Sequence, residues 1–172
     1  MNSQSIEEKG EVLVQELEAT RAAFHQLLQS IPANCFAAPT PNPAWNVGQM
    51  LFHMSVALKF LPADAALIRR SGRLPWYLPA FLFHWLNKQY TRWGGRRPTH
   101  AYLAAQYDKA HAHTLAALRR VAADEWQKGA EYPGWDPMLS GFVTLETLFH
   151  YPARHFQAHA VEVQKAVGTT TN

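Results

Sequence analysis

Four stretches of roughly twenty residues each place apolar side chains at steps of three and four, and no segment alternates at the step of two that a strand needs. The first runs from about Ser5 to Ser30. Leu13, Leu17, Thr20, Phe24, Leu27 and Ile31 form its stripe, Ser5 and Glu8 have capping-box spacing, and Pro32 stops it. The second follows a loop broken by Pro39, Pro41 and Pro43. Asn46 is its N-cap with Gln49 at the reciprocal position, and Val47, Met50, Leu51, Met54, Leu58 and Leu61 share one face. It bends at Pro62 and continues to about Arg70. The third opens at Thr99 and extends to about Trp126, with Leu103, Gln106, Tyr107, Ala110, Thr114, Ala117, Leu118 and Val121 inward. The fourth follows a Gly- and Pro-rich loop over 127–141 and runs from about Phe142 to Ala166, on a stripe of Leu145, Leu148, Phe149, Phe156 and Val163.

Four such helices predict an all-α fold, a four-helix bundle. The connection over 71–98 carries a short helix of its own, from about Pro79 to Arg92. It is long enough to travel back along a helix of ~30 Å, which leaves its flanking helices parallel and makes the topology up-down-down-up. The 172 residues form one domain, with a core over about 5–166.

Composition narrows the function classes. With 48% hydrophobic and 17% charged residues the chain is neither disordered nor a coiled coil. The lone Cys35 forms no internal disulfide. Glu7, Glu8, Glu11, Glu16 and Glu18 crowd the first thirty residues, so no signal peptide is expected, and no uncharged apolar run of ~18 residues predicts a membrane span. A cytoplasmic protein without integral membrane contact is the expectation. Charge is uneven. No acidic residue lies between Asp64 and Asp108, whereas Arg69, Arg70, Arg73, Lys88, Arg92, Arg96 and Arg97 all do, so an anion-facing surface is predicted there. No nucleic-acid-binding motif accompanies that charge, and nucleic acid is not expected as a partner.

Nine histidines are the richest chemical signal. His155 and His159 sit one helical turn apart, where two imidazoles can ligate one divalent metal. Both fall toward the bundle interior. A third ligand is needed, and His53, on the second helix between Met50 and Met54, is the best candidate. Three histidines from two helices, with water at the open positions, make a catalytic type of metal site. His150 lies on the far side of its helix, His111 and His113 are expected at the surface, and His25, His84 and His100 have no evident partner.

The segment from Trp45, Asn46 and Val47 to His53, joined far downstream by the H-x-x-x-H of His155 and His159, resembles the DinB-like superfamily. Members are of similar length and form an up-down-down-up four-helix bundle. The resemblance implies that His53, His155 and His159 hold a divalent metal, often nickel or zinc, and that Trp45 and Asn46 open the second helix. Glu162 stands where many members have Gln, and as an acceptor behind the ligands it would adjust their basicity. Val163 stands where they have Ile, and Pro152 inside the last helix is unusual.

The function expected is that of a divalent-metal-dependent enzyme, a thiol-dependent transferase or hydrolase, acting on a small and anionic molecule with a low-molecular-weight thiol. No proton-transfer residue is assigned. The alternative is a non-catalytic metal-binding or dimerising bundle. Arg92, Trp93, Arg96 and Arg97 are candidate contacts to a carboxylate or phosphate. The competing expectation is that Trp76, Tyr77, Phe81, Phe83, Trp85 and Trp93 simply cover one end of the bundle or a homodimer interface.

Overall fold

The computed structural model describes residues 3–74 and 78–170, and the side chains of 9–74 and 78–168. The helices are α1 (Ser3–Ser30), α2 (Val47–Ser71), α3 (Ala80–Gly94), α4 (His100–Leu118) and α5 (Leu145–Thr170), and a hairpin of β1 (Gly129–Asp136) and β2 (Leu139–Thr144) precedes α5. A short 3-10 helix over Ala33–Ala37 follows α1 and buries Cys35 and Phe36. The expected capping box at Ser5 and Glu8 falls on side chains outside the described residues, as do Trp76 and Tyr77.

Four helices form the bundle, and cross-contacts give their directions. Phe52 faces Tyr102, Leu58 meets Thr114 and Arg69 meets Glu125, so α2 and α4 run parallel. Ile31 meets His100 and Phe24 stacks on Tyr107, so α1 is antiparallel to α4. Lys9 reaches Glu146 and Glu16 reaches His150, so α1 and α5 are parallel. The topology is therefore up-down-down-up. α2 packs mainly on α4 and α5, and α1 packs on the same two from the other side. The predicted stripes of α1, α2 and α5 are buried: Leu17, Phe24, Met50, Leu58, Leu148, Phe149 and Val163 are among the core. Of the described helices, α2 is long and apolar enough to cross a membrane by length and composition, but more than half of that window is buried among its neighbours, as in a core helix.

Pro62 lies within α2 and lacks the N–H that would bond the carbonyl of Leu58. The Thr114 hydroxyl of α4, fully buried, donates to that carbonyl at 2.9 Å. The proline gap is thus closed by the neighbouring helix, and α2 continues to Ser71. At its start the Asn46 and Gln49 side chains form the reciprocal capping box, and Thr99 caps α4 through the Tyr102 N–H. Gly94 and Gly95 end α3 against α2. A Cβ on Gly94 would overlap the Phe52 ring, and one on Gly95 would lie 2.7 Å from Gln49 Cα.

Three expectations are corrected. The 127–141 loop is largely an antiparallel hairpin, pairing Gly129 with Thr144 and Pro133 with Ser140, with a bulge between Pro133 and Asp136. Pro133 and Gly134 interrupt the alternation that would reveal it. The last helix accordingly starts at Leu145, and Phe142 lies in β2. The third long helix ends at Leu118, not near Trp126. Beyond it the Glu125 carboxylate takes the Ala122 N–H at 3.0 Å, a local bond that competes with further helix.

Glu125 also accepts from Arg69 at 2.7 Å and Lys128 at 3.1 Å, tying the end of α2 to the chain beyond α4. The Ala122 N–H, then Lys128 and Arg69, hold its carboxyl well down, to about 2 from the ordinary 4.5, against the opposing effect of burial. Because the folded value is the lower one, this stabilisation is complete above about pH 4.5 and is lost as pH falls toward 2. Glu125→Gln is expected to cost about 2 kcal/mol at pH 7. In urea titrations the gap from the parent protein should close as pH falls through that window. Thr114→Val should cost about 1–3 kcal/mol by leaving the Leu58 carbonyl unpaired. In a Pro62→Ala background the new N–H takes that carbonyl, so a double-mutant cycle should show the Thr114→Val cost falling by more than half.

Candidate metal centre

The capping box fixes the first turn of α2: Asn46 Oδ1 accepts the Gln49 N–H at 2.9 Å, and Gln49 Oε1 accepts the Asn46 N–H at 3.1 Å. His53 stands two turns further on. Trp45, just outside the cap, folds back so that its indole stacks on the His53 ring, with centroids 4.2 Å apart at 29°. From α5, His155 and His159 arrive one turn apart, with centroids 4.5 Å from each other. Pro152 is buried within α5 and the helix runs through it.

The three imidazoles predicted as ligands come together. His53 Nε2 and His155 Nε2 are 3.2 Å apart, and His159 stands with its ring centroid 5.1 Å from that of His53. One ring nitrogen from each of the three lies within 4.8 Å of the others. Two nitrogens on one metal, each at about 2.1 Å, are separated by about 3.0–3.4 Å, so the His53–His155 pair already has a chelating separation. His53 is 8% exposed and His155 is 3% exposed, whereas His159 lies at the rim.

Electrostatics favour the form a metal needs. Burial, reinforced by His159, pushes the His53 imidazolium down to about 3. Burial, then His53 and His159, pushes His155 well below the ordinary histidine range. Both rings are therefore neutral at physiological pH, and no proton must leave them before a cation binds.

The outer nitrogens are also engaged. His159 Nδ1–H donates to Glu162 Oε2 at 2.7 Å, which puts the carboxylate behind the ring and leaves Nε2 free. The Thr91 hydroxyl of α3, fully buried, lies 3.4 Å from His53 Nδ1. Tyr151 packs against His155, with centroids 5.2 Å apart, and its hydroxyl donates to Asp136 at 2.6 Å. Thr91 and Tyr151 were not singled out in the sequence. Thr91 is 38 residues from His53, and no local spacing joins them.

The four candidate anion contacts are placed elsewhere. Arg92 Nε donates to the Ala44 carbonyl at 3.1 Å. Trp93, Arg96 and Arg97 line a surface depression of about 250 Å³ with Gly94 and Tyr102. By helical periodicity Trp93 lies ~160° around α3 from Thr91, so its side chain leaves the helix on the side away from His53. The other histidines also have roles the sequence did not reveal. His111 is buried rather than at the surface, 3.9 Å from Glu18, and its Nε2 makes no hydrogen bond among the described residues. His25 pairs with Asp108 at 2.8 Å, His100 donates to the Ile31 carbonyl at 2.8 Å, and His150 pairs with Glu16 across α1 and α5.

The fold recurs in solved structures. The mycothiol-dependent maleylpyruvate isomerase superposes with a TM-score of 0.71 at 13% identity, over 90% of this chain and 60% of that one. The chain thus spans about 60% of the isomerase's length. YfiT from Bacillus subtilis, described as a probable metal-dependent hydrolase with an unusual four-helix bundle topology, superposes with a TM-score of 0.69 at 16% identity, over 98% of this chain and 90% of that one. No curated protein matches the chain in sequence. The sequence profile of the DinB superfamily matches residues 16–162, most of the chain, and with the shared bundle topology this shows that the chain belongs to the DinB superfamily.

Proposed function

We propose that the chain is a divalent-metal-dependent enzyme acting on a small molecule, of the thiol-dependent transferase or hydrolase type. His53, His155 and His159 are its ligands in this reading. The observation that carries it is the meeting of three imidazoles from two distant helices, two of them held neutral by burial. A divalent cation bound there, nickel or zinc, supplies Lewis acidity toward an oxygen or sulfur donor. The described relatives support the class: one is a thiol-dependent isomerase and the other a probable metal-dependent hydrolase. A low-molecular-weight thiol as co-substrate rests on the first of these alone.

The chain's own residues have separable tasks. Glu162 holds the Nδ1–H of His159 and so points Nε2 inward. Trp45 and Thr91 fix the His53 ring from its face and its outer nitrogen, and together they screen it from water. Tyr151, anchored on Asp136, does the same for His155. The opening lies on the side of His159, where solvent and substrate can approach.

Purified protein is expected to carry about one divalent ion per chain, or to take one up from nickel or zinc, by elemental analysis. His53→Ala, His155→Ala and His159→Ala should each lose it while keeping the helical spectrum. Full occupancy in all three variants, or no uptake by the parent protein, would leave a non-catalytic bundle instead. Glu162→Gln should weaken metal affinity about 10–100-fold, measured by competition with a chromophoric chelator. An unchanged affinity would remove Glu162 from the assignment.

A further inference from the structure

α3 is the crossover helix, and its inner side is fully accounted for. Thr91 meets His53, Gly94 and Gly95 meet α2, and Phe83 stacks on Trp135 of β1 at 4.6 Å. Its outer side is not. Phe81, Arg92, Trp85, Gln89, Trp93 and Leu86 are exposed within an arc of about 140° on the helix surface, which also holds the half-buried Leu82. Phe81 is 75% exposed, Trp93 64% and Trp85 55%, so within one chain these three rings are not covered by the bundle. Phe60 of α2, also exposed, lies 6.1 Å from the half-buried Tyr90 and extends the patch.

Cations surround these rings. Arg96 lies over the Trp93 ring at 5.3 Å, Lys59 over Tyr90 at 5.0 Å, and Arg97 is exposed beside them. Between Asp64 and Asp108 the chain has seven basic residues and no acidic one, so no carboxylate from this stretch neutralises them. Aromatic and aliphatic side chains standing out of a convex helix, with arginines alongside, are what a helix lying in an anionic lipid interface presents. Charge argues against the same face pairing with a second copy. A two-fold contact would bring Arg92, Arg96 and Arg97 of both copies into one interface, with no carboxylate from residues 65–107 to offset them. Single-stranded nucleic acid stacks successive bases along an extended basic groove, whereas the depression beside Trp93, Arg96 and Arg97 is of only about 250 Å³ and Phe81, Trp85 and Leu86 lie outside it.

We propose that the outer face of α3 docks the protein on an anionic phospholipid surface, with Phe81, Trp85, Leu86 and Trp93 entering the headgroup region and Arg92, Arg96 and Arg97 meeting lipid phosphates and carboxylates. The proposal is independent of metal binding, because the residues that touch the three histidines lie on the opposite side of the helix.

The test is co-sedimentation of the full chain with phosphatidylcholine vesicles, with and without phosphatidylserine, at low and physiological salt. Binding is expected only with phosphatidylserine, weakening as salt rises. Arg96→Gln and Arg97→Gln should each reduce it about fivefold, and Phe81→Ser with Trp85→Ser should abolish it at unchanged melting temperature and metal content. These positions are exposed, so the variants fold. Acrylamide quenching gives a second readout, since vesicles should protect tryptophan in the parent protein more than in Trp85→Phe or Trp93→Phe. Absence of binding at low salt, or binding that ignores these substitutions, overturns the proposal. So does a preference for a single-stranded oligonucleotide over the vesicles, or a dimer in solution that already shields Trp85 and Trp93.

Discussion

The parallel packing of α2 against α4 governs everything built on this bundle. Consecutive helices joined by short loops lie antiparallel and adjacent, which in a four-helix ring puts the second and fourth on a diagonal. Here the connection after α2 runs the whole way back before α4 begins, so α2 takes α4 and α5 as its neighbours and α1 lies across from it. His53 can then face His155 directly at 3.2 Å. The same return path requires a chain segment to cross the outside of α2, and that segment is α3. The crossover that permits the histidines to meet thus also delivers Thr91 to the back of one of them.

Buried polarity is resolved locally at several points, although Trp45 Nε1 and His111 Nε2 are buried without a hydrogen bond among the described residues. The Leu58 carbonyl, stranded by Pro62, is satisfied by Thr114. Tyr151, in contact with His155, has its hydroxyl answered by Asp136 from the hairpin. Glu125, nearly enclosed, is answered by an N–H and two cations. Neutral imidazoles in contact with each other follow the same rule, since charging either would leave an ion in a dry interior. Each arrangement joins two elements, so the polar interior also sets how the helices are registered.

Much of this was legible in the chain because it is local. The caps at Asn46 and Thr99, the stripes of α1, α2 and α5, and the one-turn spacing of His155 and His159 depend on residues within a turn or two of each other. The up-down-down-up topology followed from the length of one connection. What escaped notice is what depends on distant neighbours. Periodicity marks a face as apolar but does not say whether anything covers it, so it left open whether Trp85 and Trp93 cover one end of the bundle, form a homodimer interface or, for Trp93, contact an anion. The hairpin was hidden because Pro133 and Gly134 disturb its alternation where the bulge lies. The end of α4 was hidden because Val121 and Trp126 keep the apolar rhythm while Glu125 redirects the backbone. His111 and Thr91 are set by helices far away in sequence.

The partners of the outer ring nitrogens differ in kind, and that difference gives the centre a direction. A carboxylate can only accept, so Glu162 commits His159 to a single tautomer with its lone pair turned inward. A hydroxyl can donate or accept, so Thr91 leaves His53 free to place its proton on either nitrogen. The ring with an anion at its back is also the one at the solvent rim, while the two deeper rings have only neutral company. The asymmetry runs along one line, from an electron-rich mouth to an adaptable floor, and an arriving molecule meets the fixed imidazole first.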